Sequence, residues 1–283
     1  MILISEEGKS LVKIERWQEV LERPGYVETI NADKVKLKSI IGRYHIETKE
    51  PCGISSCRTP HSKGYLVVCE GGVETNIGNK CGQRIFGVEF KELETTFKKD
   101  TNAQRFRENI DKKQNEITKR VIEEISKLRD GEGKAEYLYE RVNSYLTRLF
   151  DEKISSALIQ RAKRKDPFLY EEILLTSKER EVAQELGGNT STKREMVGVI
   201  QGLSAVAEYK TMRRYVLHDL GQDLEAFKSL KSELLSYEEL RKWNRWASQF
   251  EKKINETKRI MSECNRFLGR SNIDFVRENK VLL

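Results

Sequence analysis

Four of the five cysteines and one of the three histidines fall inside a single stretch, PCGISSCRTPHSKGYLVVCEGGVETNIGNKCG, residues 51–82. Thiolate and imidazole donors gathered this closely are the donor set of a tetrahedral zinc site. The candidate ligands are Cys52, Cys57, His61 and Cys81, with Cys69 as the alternative fourth. Cys52 and Cys57 are separated by four residues, Gly53 among them, which allows a tight knuckle. His61 follows Cys57 behind Pro60. Cys81 stands where a helix should begin, and exposed amides there stabilise thiolate charge. A CxxC redox pair is absent.

The elements that must position these donors are legible nearby. GYLVVCE is strand-like, Gly71-Gly72 is a favoured turn, and VETNI returns as a second strand. GNKCGQRIFGVEF then opens a helix. Knuckle, hairpin and a ligand at a helix start resemble a treble-clef zinc finger over residues 50–92. The resemblance implies a second helical ligand three residues past Cys81, where this chain has Arg84, so His61 or Cys69 must complete the set. A hairpin module this small rarely holds together without a staple, which favours a structural Zn2+.

Residues 1–49 read as a mixed α/β segment. Leu11, Ile14, Trp17, Val20 and Leu21 lie at helical spacing. KVKLKSIIGRYHIET is ambiguous between strand and short helix. From residue 93 to 283 the pattern is helical, broken by DGEG at 130–133, by Asp166-Pro167 and by LGGNTSTKREM. In that last loop Thr192 and Glu195 form a capping-box pattern for a following helix. A final apolar stripe runs Trp243, Trp246, Phe250, Ile254, Thr257, Met261, Cys264 and Leu268, which places one seam on one helix face. The expected fold is mainly α: a small zinc-stabilised hairpin module followed by a helical bundle or coiled-coil-like region.

Charged residues make up 34% of the 283 and apolar ones only 37%, a balance that suits long charged helices better than a compact mixed fold. The net charge of +7 is compatible with a nucleic-acid partner without demanding one. Lys80 and Arg84 flank Cys81. Arg161, Lys163, Arg164 and Lys165 end a helix, and Lys210, Arg213 and Arg214 interleave with tyrosines; these are the expected nucleic-acid contacts. No apolar run reaches the length of a membrane span. The opening MILISEEGKS is not a secretory signal, and an odd cysteine count suits a reducing cytoplasm.

Enzyme signatures are weak: no phosphate-cradling GxxxxGK[ST], no GxSxG, no HExxH. Asp33, Glu47 and Lys49, with His45 beside them, are the only nuclease-like set near expected strands. The expected function is a non-enzymatic zinc-binding, helical binding protein associated with nucleic acid, with the general look of a bacterial or phage accessory protein. The alternatives are a homo-oligomeric or partner-docking scaffold that uses the helical seams, and a metal-dependent nuclease.

Overall fold

A computed structural model describes residues 2–6, 10–117, 119–187 and 191–279. The chain divides into two compact units. The first comprises residues 1–113 and 231–245, the second 114–230 and 246–283. Mainly α describes the whole, with an antiparallel sheet near the N-terminus followed by a long helix.

The first unit is built on a five-stranded sheet of order β2-β1-β3-β4-β5. Its strands are β1 (Ile2–Glu6), β2 (Ser10–Ile14), β3 (Leu37–Pro51), β4 (Pro60–Cys69) and β5 (Glu74–Gly78). The helical reading of residues 11–21 is corrected here: 10–14 pair with β1, and only Gln18–Leu21 form a short helix, α1. Spacing of 3, 3, 3 and 1 among these five apolar residues is also compatible with a strand running into a turn, and pairing with β1 decided it. Residues 37–51, ambiguous in the sequence, form the long central strand β3. The boundary expected at residue 50 therefore falls inside one sheet, because β3 pairs along its length with β4.

Each sheet face buries its own core. Ile2, Ile4, Ile14, Tyr44 and Leu66 pack with Val20 of α1 on one side. Tyr65, Val67, Cys69 and Ile77 pack on the other, against Phe90 and Phe97 of α2 (Asn79–Glu116). The hairpin between β4 and β5 turns through Gly71 and Gly72, both at positive φ (86° and 82°), as the glycine pair predicts. Helix α2 bends at Gly87, where φ is 53° and ψ −122°. Residues 231–245 complete the unit. Tyr237 packs 6.0 Å from the ring of Phe106, and Asn109 donates to Asn244 at 2.9 Å.

The second unit is helical. Its elements are α3 (Lys119–Arg129), α4 (Ala135–Ser144), α5 (Glu152–Arg164), α6 (Ser177–Glu185), α7 (Ser204–Arg214), α8 (Asp223–Lys228), the C-terminal part of α9 (Tyr237–Phe267) and α10 (Arg270–Glu278). Gly131 and Gly133 break the chain between α3 and α4 at positive φ. The core gathers Leu138, Val142, Leu158, Met212, Ile260, Phe267 and Val276. The stripe expected on α9 is buried from Trp243 to Cys264, with Leu268 half-buried beyond the helix end, so packing within the chain accounts for it. Trp246 lies 4.5 Å from the ring of Phe227 and donates its indole N–H to the Asp219 carbonyl.

Two strands were not expected here. β6 (Phe168–Leu174) and β7 (Thr192–Val199) form an antiparallel ribbon around α6. The capping box read at Thr192 and Glu195 is corrected: both lie in β7, where pairing with β6 prevails. The same motif does cap α6. Thr176 accepts from the Glu179 amide and Glu179 accepts from the Thr176 amide at 2.8 Å. Helix α6 buries none of its residues, so its cap should dominate its stability. Thr176→Ala is expected to cost about 1 kcal/mol locally, speeding amide exchange in α6 about fivefold while leaving the global urea midpoint in place. Among the described residues no helix is long and apolar enough to cross a membrane.

Candidate metal centre

Cys52 follows directly on β3, and the turn after it is closed from several sides. Its amide donates to the Thr59 carbonyl at 3.2 Å, and the Gly53 amide donates to Asn76 of β5 at 2.7 Å. A Cβ at Gly53 would stand 2.9 Å from that same carbonyl oxygen, so the approach requires glycine. Ile54 is fully buried and anchors the turn in the core beneath α2. Cys57 and Arg58 both donate amides to the Ile54 carbonyl, and Arg58 takes a left-handed conformation with φ 48°. Its guanidinium holds that conformation by donating to Glu28 O and Thr29 Oγ1. Cys81 lies in the first turn of α2, delivered to the same place because β5 runs beside β4 and ends at Gly78.

The sulfurs of Cys52, Cys57 and Cys81 all lie within 4.8 Å of one another. Cys57 and Cys81 are 3.1 Å apart. Cys52 is buried, while Cys57 and Cys81 are partly exposed. Hydrogen bonding to Thr59, whose hydroxyl lies 3.4 Å from the sulfur, holds the Cys57 thiol down at about 7. Burial and the neighbouring thiol push Cys81 up, so as free thiols the two share a proton that a bound cation would displace. Arg84, at the position where the treble-clef pattern has a ligand, donates to Cys57 Sγ at 3.7 Å. A guanidinium there offsets thiolate charge instead of adding a donor to the metal.

Neither His61 nor Cys69 joins the three-sulfur group. Cys69 is fully buried in the core with Tyr65 and Val67, the face-mates expected of it, and burial raises its thiol pKa. His61 stands on β4 with Nδ1 3.0 Å from the Tyr44 hydroxyl. That hydroxyl accepts from Asn76 Nδ2, whose own carbonyl accepts from Tyr26. The other ring nitrogen, Nε2, is buried with no partner among the described residues. Burial lowers the His61 pKa, which keeps the ring neutral, the form that ligates metals. Three converging thiols make a group that could hold a metal ion.

The basic residues are dispersed. Lys80 and Arg84 are exposed on the first turns of α2. Arg161 is ion-paired to Asp166 at 2.9 Å and also donates to Phe168 O, so it is committed to closing the end of α5. Lys163, Arg164 and Lys165 are exposed, and Lys163 and Lys165 line a cavity of about 620 Å³ in the second unit. Arg213 pairs with Glu136 and covers the Tyr139 ring at 4.7 Å, Arg214 covers Tyr215, and Lys210 sits by Tyr209, itself a core residue. Asp33, Glu47 and His45 belong to no group of three or more metal-holding side chains among the described residues. The link from Asn76 through Tyr44 to His61 has no local signal in the sequence, since Asn76 follows Glu74 and Thr75 in the return strand and reads there as a turn or phosphate-facing residue.

No protein-family model, curated protein or solved structure matches the chain, so the function is argued from its own residues.

Proposed function

We propose that the chain is a non-enzymatic zinc-binding protein that associates with nucleic acid. Zn2+ is held by Cys52, Cys57 and Cys81, with His61 as the fourth ligand. The observation that carries the metal reading is the convergence of three sulfurs from two separate elements within 4.8 Å. The orphaned Nε2 of His61 supports the fourth assignment, since a buried polar nitrogen without a partner costs roughly 1–3 kcal/mol. Its Nδ1 contact with Tyr44 is the kind of outer contact that orients a ligating histidine. Four protein ligands close the coordination shell to water, so the ion crosslinks the knuckle to the start of α2. The net charge of +7 and the exposed Lys80 and Arg84 beside the knuckle support a phosphate-bearing partner.

Metal analysis of the chain purified under reducing conditions tests the first part. One equivalent of zinc is expected in wild type, none in Cys52→Ser, Cys57→Ser or Cys81→Ser, and a weakened equivalent in His61→Ala. Metal-free wild type with a Cys57–Cys81 disulfide would overturn the metal reading in favour of a redox pair. A full equivalent held with unchanged affinity by His61→Ala would remove that residue from the ligand set.

A further inference from the structure

The clearest unassigned site lies in the first unit, on the sheet face whose centre α2 covers. Arg43 and Tyr65 are cross-strand partners, as are His45 and Lys63. These pairs sit side by side at the end of that face, and Arg43, His45 and Lys63 remain exposed. Together with Tyr44, Tyr65 and Asn79 they line a cleft of about 310 Å³ that contains no carboxylate. Glu94, which accepts from the Tyr65 hydroxyl, is already paired with Lys98 at 2.7 Å. Neither Arg43 nor Lys63 has an ion-pair partner among the described residues. Two uncompensated cations facing one concave surface make a local positive potential that surface lysines scattered elsewhere do not.

The larger cavity in the second unit differs on this point. Its arginines are neutralised within the site, Arg259 by Glu208 at 2.6 Å and Arg266 by Glu263 at 3.0 Å. An anion entering there must compete with carboxylates already in place.

We infer that the Arg43–His45–Lys63 cleft binds the backbone phosphates of a single-stranded nucleic acid. The inference rests on the nucleic-acid reading above and gives it a location. A single strand suits the shape. Duplex grooves are read by an element that protrudes, whereas a flexible backbone can enter a concave trough lined with cations. The volume accommodates about one sugar-phosphate unit at the small end of ligand sites. Arg43 presents a planar fork to a phosphate oxygen pair, and Lys63 supplies a point charge across the strand from His45.

The test is fluorescence anisotropy with a labelled single-stranded oligothymidylate between 50 and 200 mM salt, using the full chain. Arg43→Gln/Lys63→Gln is expected to bind about tenfold more weakly or worse at 50 mM, and its log–log salt slope should be shallower by about 1.4, two phosphates' worth. Lys153→Gln/Lys178→Gln, at exposed positions outside both cavities, should keep the wild-type slope. Both double variants change exposed positions, and melting and zinc content confirm that they are folded. Wild-type affinity and slope in the Arg43/Lys63 variant would overturn the assignment and leave the nucleic-acid reading standing. No binding by wild type at 50 mM salt would overturn that reading and the cleft's occupant with it. Displacement of the strand by an equal concentration of thymidine monophosphate would make the cleft a mononucleotide site and also overturn the assignment.

Discussion

Cys81→Ser, or exhaustive chelation of wild type, is expected to lower the melting transition of the first unit by roughly 15 °C while leaving the second unit's transition where it was. The magnitude follows from linkage. With free metal a thousandfold above its dissociation constant, binding to the folded state alone contributes about 4 kcal/mol, and a unit of this size shifts by a few degrees per kcal/mol. Cys81 is the residue to change because it is the only sulfur of the group contributed by α2, and losing it uncouples the helix start from the knuckle. The sheet should survive, since the core on its face opposite α2 contains none of the three cysteines. Amide exchange should therefore accelerate first in residues 52–59 and in the first turn of α2. Identical melting of metal-loaded and metal-free protein would show that the ion holds nothing together.

Gly202→Ala is expected to destabilise the second unit by about 4 kcal/mol, seen as a fall of roughly 10 °C in its transition. Gly202 has φ 61°, which penalises any side chain. It also lies directly against α9: an added Cβ would overlap the Glu263 carbonyl and stand 2.6 Å from the Phe267 amide nitrogen. Both are helix backbone and cannot rotate away. Gly133 provides the control. Its φ is 72°, but nothing lies within 4 Å of the position a Cβ would take, so Gly133→Ala should show the conformational cost alone, about 1 kcal/mol. Equal effects at the two glycines would mean that close packing under α9 contributes nothing.

What the sequence disclosed depended on how local each signal was. The β4–β5 hairpin was readable because Gly71 and Gly72 must adopt positive φ, and the helix opening at Asn79 followed from it. The α9 stripe was readable because one helix face repeats over eight turns of unbroken chain. The metal group was readable because four cysteines are rare neighbours. The failures have a different origin. Residues 10–14 carry helical spacing by coincidence and are strand because β1 is available to pair with them. The Thr192–Glu195 motif is short enough to recur by chance, and genuine capping boxes at Thr176–Glu179 and Ser236–Glu239 bear the same signature. The basic cleft was invisible because Arg43 and Lys63 are twenty residues apart and meet only through the register of β3 on β4, which contains irregularities on both sides of them.

The first unit is discontinuous: residues 231–245 close against α2 through Tyr237 and Asn244. A ribosome making roughly 5–20 residues per second emits that closing segment about 6–24 seconds after residue 113. All four proposed ligands are already outside by then. If the proposed metal binds, the nascent sheet acquires it during translation and waits, crosslinked but unfinished, for the helical segment that closes it. A chain cut short before residue 231 would retain a metal-competent knuckle on a half-clothed α2, an aggregation-prone product rather than an independent domain.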